Sequence, residues 1–366
     1  MIYKLSAKPR IVIKFGGSSV RDSFSEALGL VKKLHDGNEV VVVLSALKGV
    51  TDSLLHLANN KDEKIIQEIA EKHEKVIEQL GVDLNVEKFF LELRQVLRSE
   101  RSFPNRGAFI DHVLSFGERL SVKIFTEALR NRGIESVPVD AFHIIRTDNN
   151  FGNANVNFRE TANRVKALET LLKEGKVPVV TGFLGGYKSF RTTLGRGGSD
   201  YTASILGSLL NARTVLIMSD VEGIYTADPR IVRKAKLIPF VSYDEALIAS
   251  RLGMKALHER TIEPVKDKIP IILGKTSDWK LGTLVSDIKS GMPIITYKVI
   301  DENFARIGVV GSDEIEFNAK VCDKGKNWIC FLVRREELED ALNELHEVIL
   351  NEGFSSSNDS ELWARV

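Results

Sequence analysis

The chain is poor in several things that would narrow its chemistry at once. Of its 366 residues only two are cysteine, Cys322 and Cys330, both late in the chain. Their spacing matches no zinc site, so the expectation is two reduced structural thiols, with neither metal ligands nor a disulfide. Net charge is as scarce: 51 Lys and Arg against 50 Asp and Glu leave +1. That balance gives no electrostatic footprint for nucleic acid or for an anionic membrane surface. No apolar run approaches the length of a membrane span, and Met1 to Arg10 lacks the apolar core of a signal peptide. A cytoplasmic protein with neither nucleic-acid nor membrane partners is expected. What is present is ordinary globular material, 43% hydrophobic and 28% charged, spread along the length. A chain this long buries a sizeable core and should hold two or three domains.

The richest stretch is TTLGRGGSDYTA, residues 192–203, just ahead of a run, Ser204 to Leu210, that reads as helix. Gly195, Gly197 and Gly198 permit positive φ and close approach of the backbone to a ligand, while Ser199 and Asp200 are good N-cap residues. A helix N-terminus with free N–H groups attracts phosphate or carboxylate. A plain strand-to-helix turn with a capping Asp would look much the same. Arg196 separates the two readings, because a planar bidentate donor has no use in a turn that need only bend.

Around this turn the chain has the rhythm of a parallel sheet. The apolar strand IVIKF, residues 11–15, runs through Lys14 into Gly16, Gly17 and Ser18 and a helical pattern to Lys33. A second apolar strand, residues 39–46, is followed by KGVTD and another helix. Such βαβ units cross over right-handed and put both glycine loops at the carboxyl ends of their strands, where open α/β sheets bind ligands. Lys14 ends its strand at that edge, where an ammonium can reach a phosphate.

Residues 61–101 are charged, with helical period, and read as a helical insertion without chemistry; His73 there reads as a surface residue. In LSFGERLS, residues 114–121, Glu118 and Arg119 interrupt an apolar helix, a costly arrangement unless each finds a partner. A mutual or cross-helix salt bridge is expected for Arg119, and Glu118 is the candidate for reading a ligand ammonium. Phe151 and Gly152 sit in a turn-rich loop able to close over a small ligand. Further apolar strands cover residues 177–183, 214–218 and 269–273, with Tyr187 to Thr193 as a hairpin arm into the glycine turn. The polar loop after residue 218 carries Ser219, Asp220, Tyr225, Asp228 and Arg230 and suits a nucleotide, Tyr225 against base or ribose and Arg230 near phosphate. Lys255 follows a helix C-terminus, where a plain structural lysine is also favourable.

Six segments in order, KFGGSSV (14–20), LSALKGVTD (44–52), SFGERLS (115–121), FGNA (151–154), TLGRGGSDYTA (193–203) and SDVEGIYTADPR (219–230), resemble the aspartate kinases of the amino acid kinase family. The resemblance covers roughly the first 290 residues. It implies an α/β fold, a three-layer αβα sandwich with an open, mainly parallel sheet. It also implies an ATP-dependent kinase forming 4-phospho-L-aspartate, the first step toward lysine, threonine and methionine. Mg²⁺ would be held mainly by phosphates and water. Carried over by position, Lys14 with Gly16, Gly17 and Ser18 would hold the transferring phosphoryl group, with Lys14 and Asp200 as the catalytic pair. Ser45, Thr51, Glu118, Phe151, Arg196 and Ser199 would line the amino-acid pocket, Arg196 clamping the α-carboxylate. Ser219, Asp220, Tyr225, Asp228, Arg230 and Lys255 would hold the nucleotide. Asp52 stands where the family carries asparagine, and an alcohol such as L-homoserine would tolerate it more easily; Asp200 or Asp52 would then serve as base. A homoserine kinase on the same fold and a non-catalytic amino-acid-sensing relative are therefore the other two readings.

The catalytic domain is expected over residues 1–290, leaving 291–366. The family ends in two ACT regulatory domains, which as two small domains need about 150 residues; here about 80 follow Asp287. Residues 304–311 and 328–333 look like ACT strands, and 336–350 like the amphipathic helix. The expectation is one truncated ACT-like module used for packing or homodimerisation, with weak or absent inhibition by lysine or threonine. Ser355 to Ser360 is polar and expected to fray.

Overall fold

The computed structural model describes residues 8–351; the stretch Ser355 to Ser360, expected to fray, and the first seven residues lie outside it. Up to residue 221 the elements are β1 (Arg10–Phe15), α1 (Gly17–Asp22), α2 (Phe24–His35), β2 (Glu39–Leu44), α3 (Val50–Asn60), α4 (Glu63–Leu80), α5 (Glu87–Arg98), α6 (Arg106–Arg130), β3 (Ser136–Val139), α7 (Phe158–Lys173), β4 (Val177–Thr181), β5 (Leu184–Tyr187), β6 (Phe190–Thr193), α8 (Gly198–Leu209) and β7 (Thr214–Ser219). Beyond it come β8 (Phe240–Ser242), α9 (Tyr243–Leu252), α10 (Glu259–Ile262), β9 (Ile271–Lys275), β10 (Lys280–Ser286), β11 (Ile294–Val299), β12 (Phe304–Val310), β13 (Lys320–Gly325), β14 (Trp328–Arg334) and α11 (Leu338–Asn351). No helix among the described residues is long and apolar enough to cross a membrane. The chain forms two units, residues 8–221 with 263–281, and residues 222–262 with 282–351.

In the first unit the strands run in the order β3-β4-β2-β1-β7-β9, every neighbouring pair parallel. Val40 to Leu44 of β2 and Val12, Ile13 and Phe15 of β1 are wholly buried. Strands apolar on both faces fit only a sheet covered on both faces. Helices α2 and α6 cover one face, α7 and α8 the other. The chain moves from β1 to β2 on one side and later returns to β7 on the other, so the carboxyl end of β1 is the switch point at which such sheets open a crevice. The short hairpin of β5 and β6 leads from the end of β4 to the glycine turn.

Two expectations need correction. Helix α8 starts at Gly198, six residues before Ser204, with Gly197 in the left-handed region as its cap. Ser199 and Asp200 are therefore first-turn residues rather than caps, because two glycines let the backbone turn into helix earlier. His73 is not a surface residue: it is 0% exposed, with Nδ1 2.6 Å from the Ile69 carbonyl. It lies four positions after Ile69 and three before Val76 on the buried face of α4, so helical period takes it inward. Arg119 meets the expected cross-helix partner: its guanidinium bonds Glu92 of α5 at 2.9 Å and stacks over the rings of Phe89 and Phe116.

The second unit holds an antiparallel sheet in the order β11-β12-β14-β13. Its core unites Ile307, Val309 and Phe331 of the sheet with Leu342 and Leu345 of α11, and takes in Ala227 and Val232 from the loop after β7. That burial is why residues 222–262 group with the C-terminal sheet. Strands β8 and β10 pair in parallel here. Helix α9 opens with a capping box, Ser242 with Glu245, and closes on Gly253 at φ 117.

Candidate active site

Four strand ends of the first unit bring the chemistry together. Lys14 of β1 is 8% exposed, with Nζ 2.5 Å from Asp200 Oδ1 at the start of α8. The loop after β1 lies tightly on the loop after β2. Lys48 N donates to Gly17 O at 3.1 Å, and a Cβ on Gly17 would stand 2.8 Å from the Ala46 carbonyl oxygen, a contact that only glycine avoids. Ser18 follows in the first turn of α1, half-buried.

A cavity of about 260 Å³ opens here, lined by Lys14, Ser45, Thr51, Glu118, Phe183, Ser199 and Asp200 with the turn glycines 195, 197 and 198. It is smaller than the roughly 300–1,000 Å³ of drug-sized sites. Glu118 reaches it from α6 because Gly117, where a Cβ would meet the Ala46 side chain at 2.7 Å, lets the helix lie against the loop after β2. Its Oε1 accepts from Ala46 N at 3.2 Å, while Oε2 is buried without a partner. At 3% exposure, burial pushes the carboxyl up to about 8, against the backbone hydrogen bond that would lower it.

The glycine turn forms one wall. Gly195 and Gly197 have φ 75 and 69, and Arg196 between them is exposed beside the cavity rather than in its lining, and forms no hydrogen bond or ion pair among the described residues. Phe151 does not line the cavity; it packs where Gly107 of α6 leaves room. The aromatic that lines it is Phe183, held at φ 65, a conformation rare for a bulky residue. Asp52 is exposed on α3 and lies outside the lining.

Of the expected nucleotide residues, Ser219 ends β7 half-buried, and Asp220 after it is exposed, 4.0 Å from Lys48. In the second unit, Asp228 accepts from Arg230 at 2.7 and 2.9 Å, which holds its carboxyl below the ordinary range. Tyr297 joins this group: Lys255 Nζ donates to its hydroxyl at 2.7 Å and lies over its ring, and the hydroxyl reaches Asp228 Oδ2 at 3.4 Å. Tyr225, half-buried, bridges to Leu237 in the same loop.

Sequence reasoning misses Phe183, Tyr297 and a third residue, Asp111. Phe183 follows a strand as one more apolar residue, and only its backbone conformation marks it. Tyr297 lies in a strand that the sequence pattern does not pick out. Asp111, 1% exposed on α6, carries a signal of the same kind as Glu118: a lone charge amid an apolar helical stretch. Among the described residues no three His, Cys, Asp or Glu side chains group so as to hold a metal by themselves.

The amino acid kinase family is matched over residues 9–275. Lysine-sensitive aspartokinase 3 of Escherichia coli (strain K12) is 36% identical over 314 residues, 80% of this chain and 68% of that protein. The aspartokinase of Chlamydia muridarum is 33% identical over 280 residues, 74% of this chain and 62% of that protein. The chain thus spans about two thirds of the length of these relatives. Among solved structures, E. coli aspartokinase III in complex with aspartate and ADP superposes with a TM-score of 0.83 at 25% identity, covering 93% of this chain and 99% of that one.

Proposed function

The chain belongs to the amino acid kinase family and, within it, to the aspartokinases, and from that premise we propose that it transfers the γ-phosphoryl group of ATP to the side-chain carboxylate of L-aspartate, giving 4-phospho-L-aspartate. The observation that carries the proposal is Glu118, a buried carboxylate with an unpartnered oxygen in the same small cavity as the Lys14–Asp200 pair. Burial keeps this carboxyl protonated until a cation pairs with it, and the α-ammonium of an amino acid supplies one. Arg196, a bidentate donor left without a partner, takes the α-carboxylate. Ser45, Thr51 and Ser199 offer hydroxyls to the same ligand, and Phe151 belongs to the loop that covers it.

The acceptor carboxylate is ionised at neutral pH, so no general base is needed; the protein must align it and offset the charge of two approaching anions. Lys14 supplies that charge next to the amides of Gly16, Gly17 and Ser18, and Asp200 holds the Lys14 ammonium in place. Tyr225, Asp228, Arg230 and Lys255, gathered within the second unit, bind ATP. Mg²⁺ would be carried on the ATP phosphates and water, where it offsets phosphate charge. The catalytic groups are assigned to the region before about residue 290, and the sheet β11-β12-β14-β13 with α11 to a single ACT-like module through which two copies pair. Val299, Ile300 and Phe304, apolar and exposed around the β11–β12 turn, support that pairing.

The homoserine reading loses its main argument, since Asp52 stands outside the cavity. ADP formation with L-aspartate, L-homoserine and succinate separates the alternatives. Turnover with aspartate alone is expected, because homoserine lacks the acceptor carboxylate and succinate lacks the ammonium. A higher kcat/KM with homoserine would replace the proposal with an alcohol kinase, and no turnover with either amino acid would favour the sensing relative.

A further inference from the structure

Helix α6 carries two buried carboxylates seven residues apart, about two turns, and so on one face. Glu118 faces the cavity. Asp111 holds two other segments. Its Oδ2 accepts from Gly152 N at 2.9 Å and from Thr193 N at 2.8 Å, and its Oδ1 accepts from Thr193 Oγ1 at 2.8 Å. Gly152 belongs to the FGNA loop, and Thr193 ends β6 and leads through Leu194 into the glycine turn. The two segments are also joined directly, by Ala154 N donating to Thr193 O at 2.9 Å. A Cβ on Gly195 would stand 2.4 Å from Asn153 Oδ1, and its φ of 75 lies in the region that favours glycine.

Burial raises the Asp111 carboxyl above its ordinary range, against the three hydrogen bonds that lower it, and no cation is among the groups acting on it. A buried carboxylate held only by neutral donors is a poor device for stability alone, since apolar packing would serve as well or better. It is a good device for fixing two backbone segments at one distance from the helix that carries it. We infer that Asp111 is a positioning residue for the amino-acid end of the site. It sets the distance between Glu118, on its own helix, and Arg196, three residues beyond its partner Thr193. This rests on the proposal that those two groups read the ammonium and the α-carboxylate of the substrate. Misplacement by about 1 Å between binding groups is enough to cost on the order of a hundredfold in rate.

Asp111→Asn keeps the geometry: its carbonyl oxygen can accept from both N–H groups, and its amide can donate to Thr193 Oγ1. Asp111→Ala removes all three bonds. The expected result is an L-aspartate KM raised at least about tenfold in Asp111→Ala with the ATP KM unchanged, and near-normal constants in Asp111→Asn. Equal rises in both KM values, or a fall in kcat that merely follows the folded fraction, would overturn the inference. Should Asp111→Ala fail to fold, Thr193→Val removes the hydroxyl bond alone and should raise the aspartate KM a few-fold; an unchanged KM would count against it. Hydrogen exchange supplies a readout independent of turnover. Amides 149–154 and 193–197 should lose protection in Asp111→Ala and keep it in Asp111→Asn, and the reverse would overturn the inference. Wild-type protein that does not use aspartate, together with variants that still follow this exchange pattern, would sink the functional proposal and leave the positioning role standing.

Discussion

Glu118 is buried in the cavity with one oxygen unpartnered, and its environment makes a proton part of ligand binding. With its carboxyl at about 8, it is largely protonated at pH 7 in the free protein. An ammonium placed beside it favours the ionised form, so amino-acid binding at pH 7 should release about one proton. Titration calorimetry in two buffers of different ionisation enthalpy checks this; equal heats in both, or release persisting in Glu118→Gln, would contradict it. The stability effect has a definite sign. Because the folded protein binds this proton more tightly than the unfolded chain does, stability falls as pH rises from the ordinary carboxylate range to about 8. Glu118→Gln should therefore be more stable than wild type at pH 8.5 in denaturant titrations. Each tenfold difference in proton affinity is worth about 1.4 kcal/mol, so the gap should reach several kcal/mol there and close toward pH 5. Arg196 gives a complementary test at the other end of the substrate: Arg196→Ala should raise the aspartate KM far more than the ATP KM, whereas an effect confined to ATP would make the turn a phosphate site. Much of this is legible in the sequence. Lys14, Glu118 and Arg196 stand out because each puts a charge where apolar or turn residues alone would do. Phe183 is hidden, since a left-handed backbone angle leaves no local mark; Asp111 shows as a lone charge in an apolar helix, but the three donors it gathers from distant segments do not show.

Among the elements, fully buried strands such as β1, β2, β4 and β7 are legible because a run with no polar face has only one place in a fold. Strand β13 is not: its residues are almost all exposed, it is an edge, and its register shifts between Val321 and Asp323. Helix α4 is legible as a helix but not on the face where His73 is buried with Nε2 unpartnered. Burial holds that imidazole down at about 4, so it is neutral in the folded protein and must charge in the unfolded one. The unfolded state binds the extra proton between about 6.5 and 4, and stability is lost as pH falls through that range. His73→Met should flatten the acid side of the stability curve while leaving kcat/KM at neutral pH unchanged. Equal acid sensitivity in the two proteins, measured by denaturant titration at pH 5 and 7.5, would show that His73 does not carry the effect.

At the scale of the whole chain, the sequence pattern puts one boundary near residue 290, and the chain instead groups 222–262 with its C-terminal sheet. Ala227 and Val232 look like small apolar residues in a polar loop, and the side chains that bury them, such as Phe331 and Leu345, lie about a hundred positions away. No local pattern announces such a pairing. It has a functional corollary: Tyr225, Asp228 and Arg230 ride on a loop anchored in the core of the C-terminal unit. Leu345→Ala, costing about 2–5 kcal/mol in that core, should raise the ATP KM and leave the aspartate KM nearly unchanged; the opposite pattern would detach the loop from this role. Phosphoryl transfer from ATP to the side-chain carboxylate of aspartate leaves a product that can be trapped. With ATP, Mg²⁺, L-aspartate and hydroxylamine, aspartyl hydroxamate should form in step with ADP, since only an acyl phosphate is trapped in this way. ADP released without hydroxamate would contradict it.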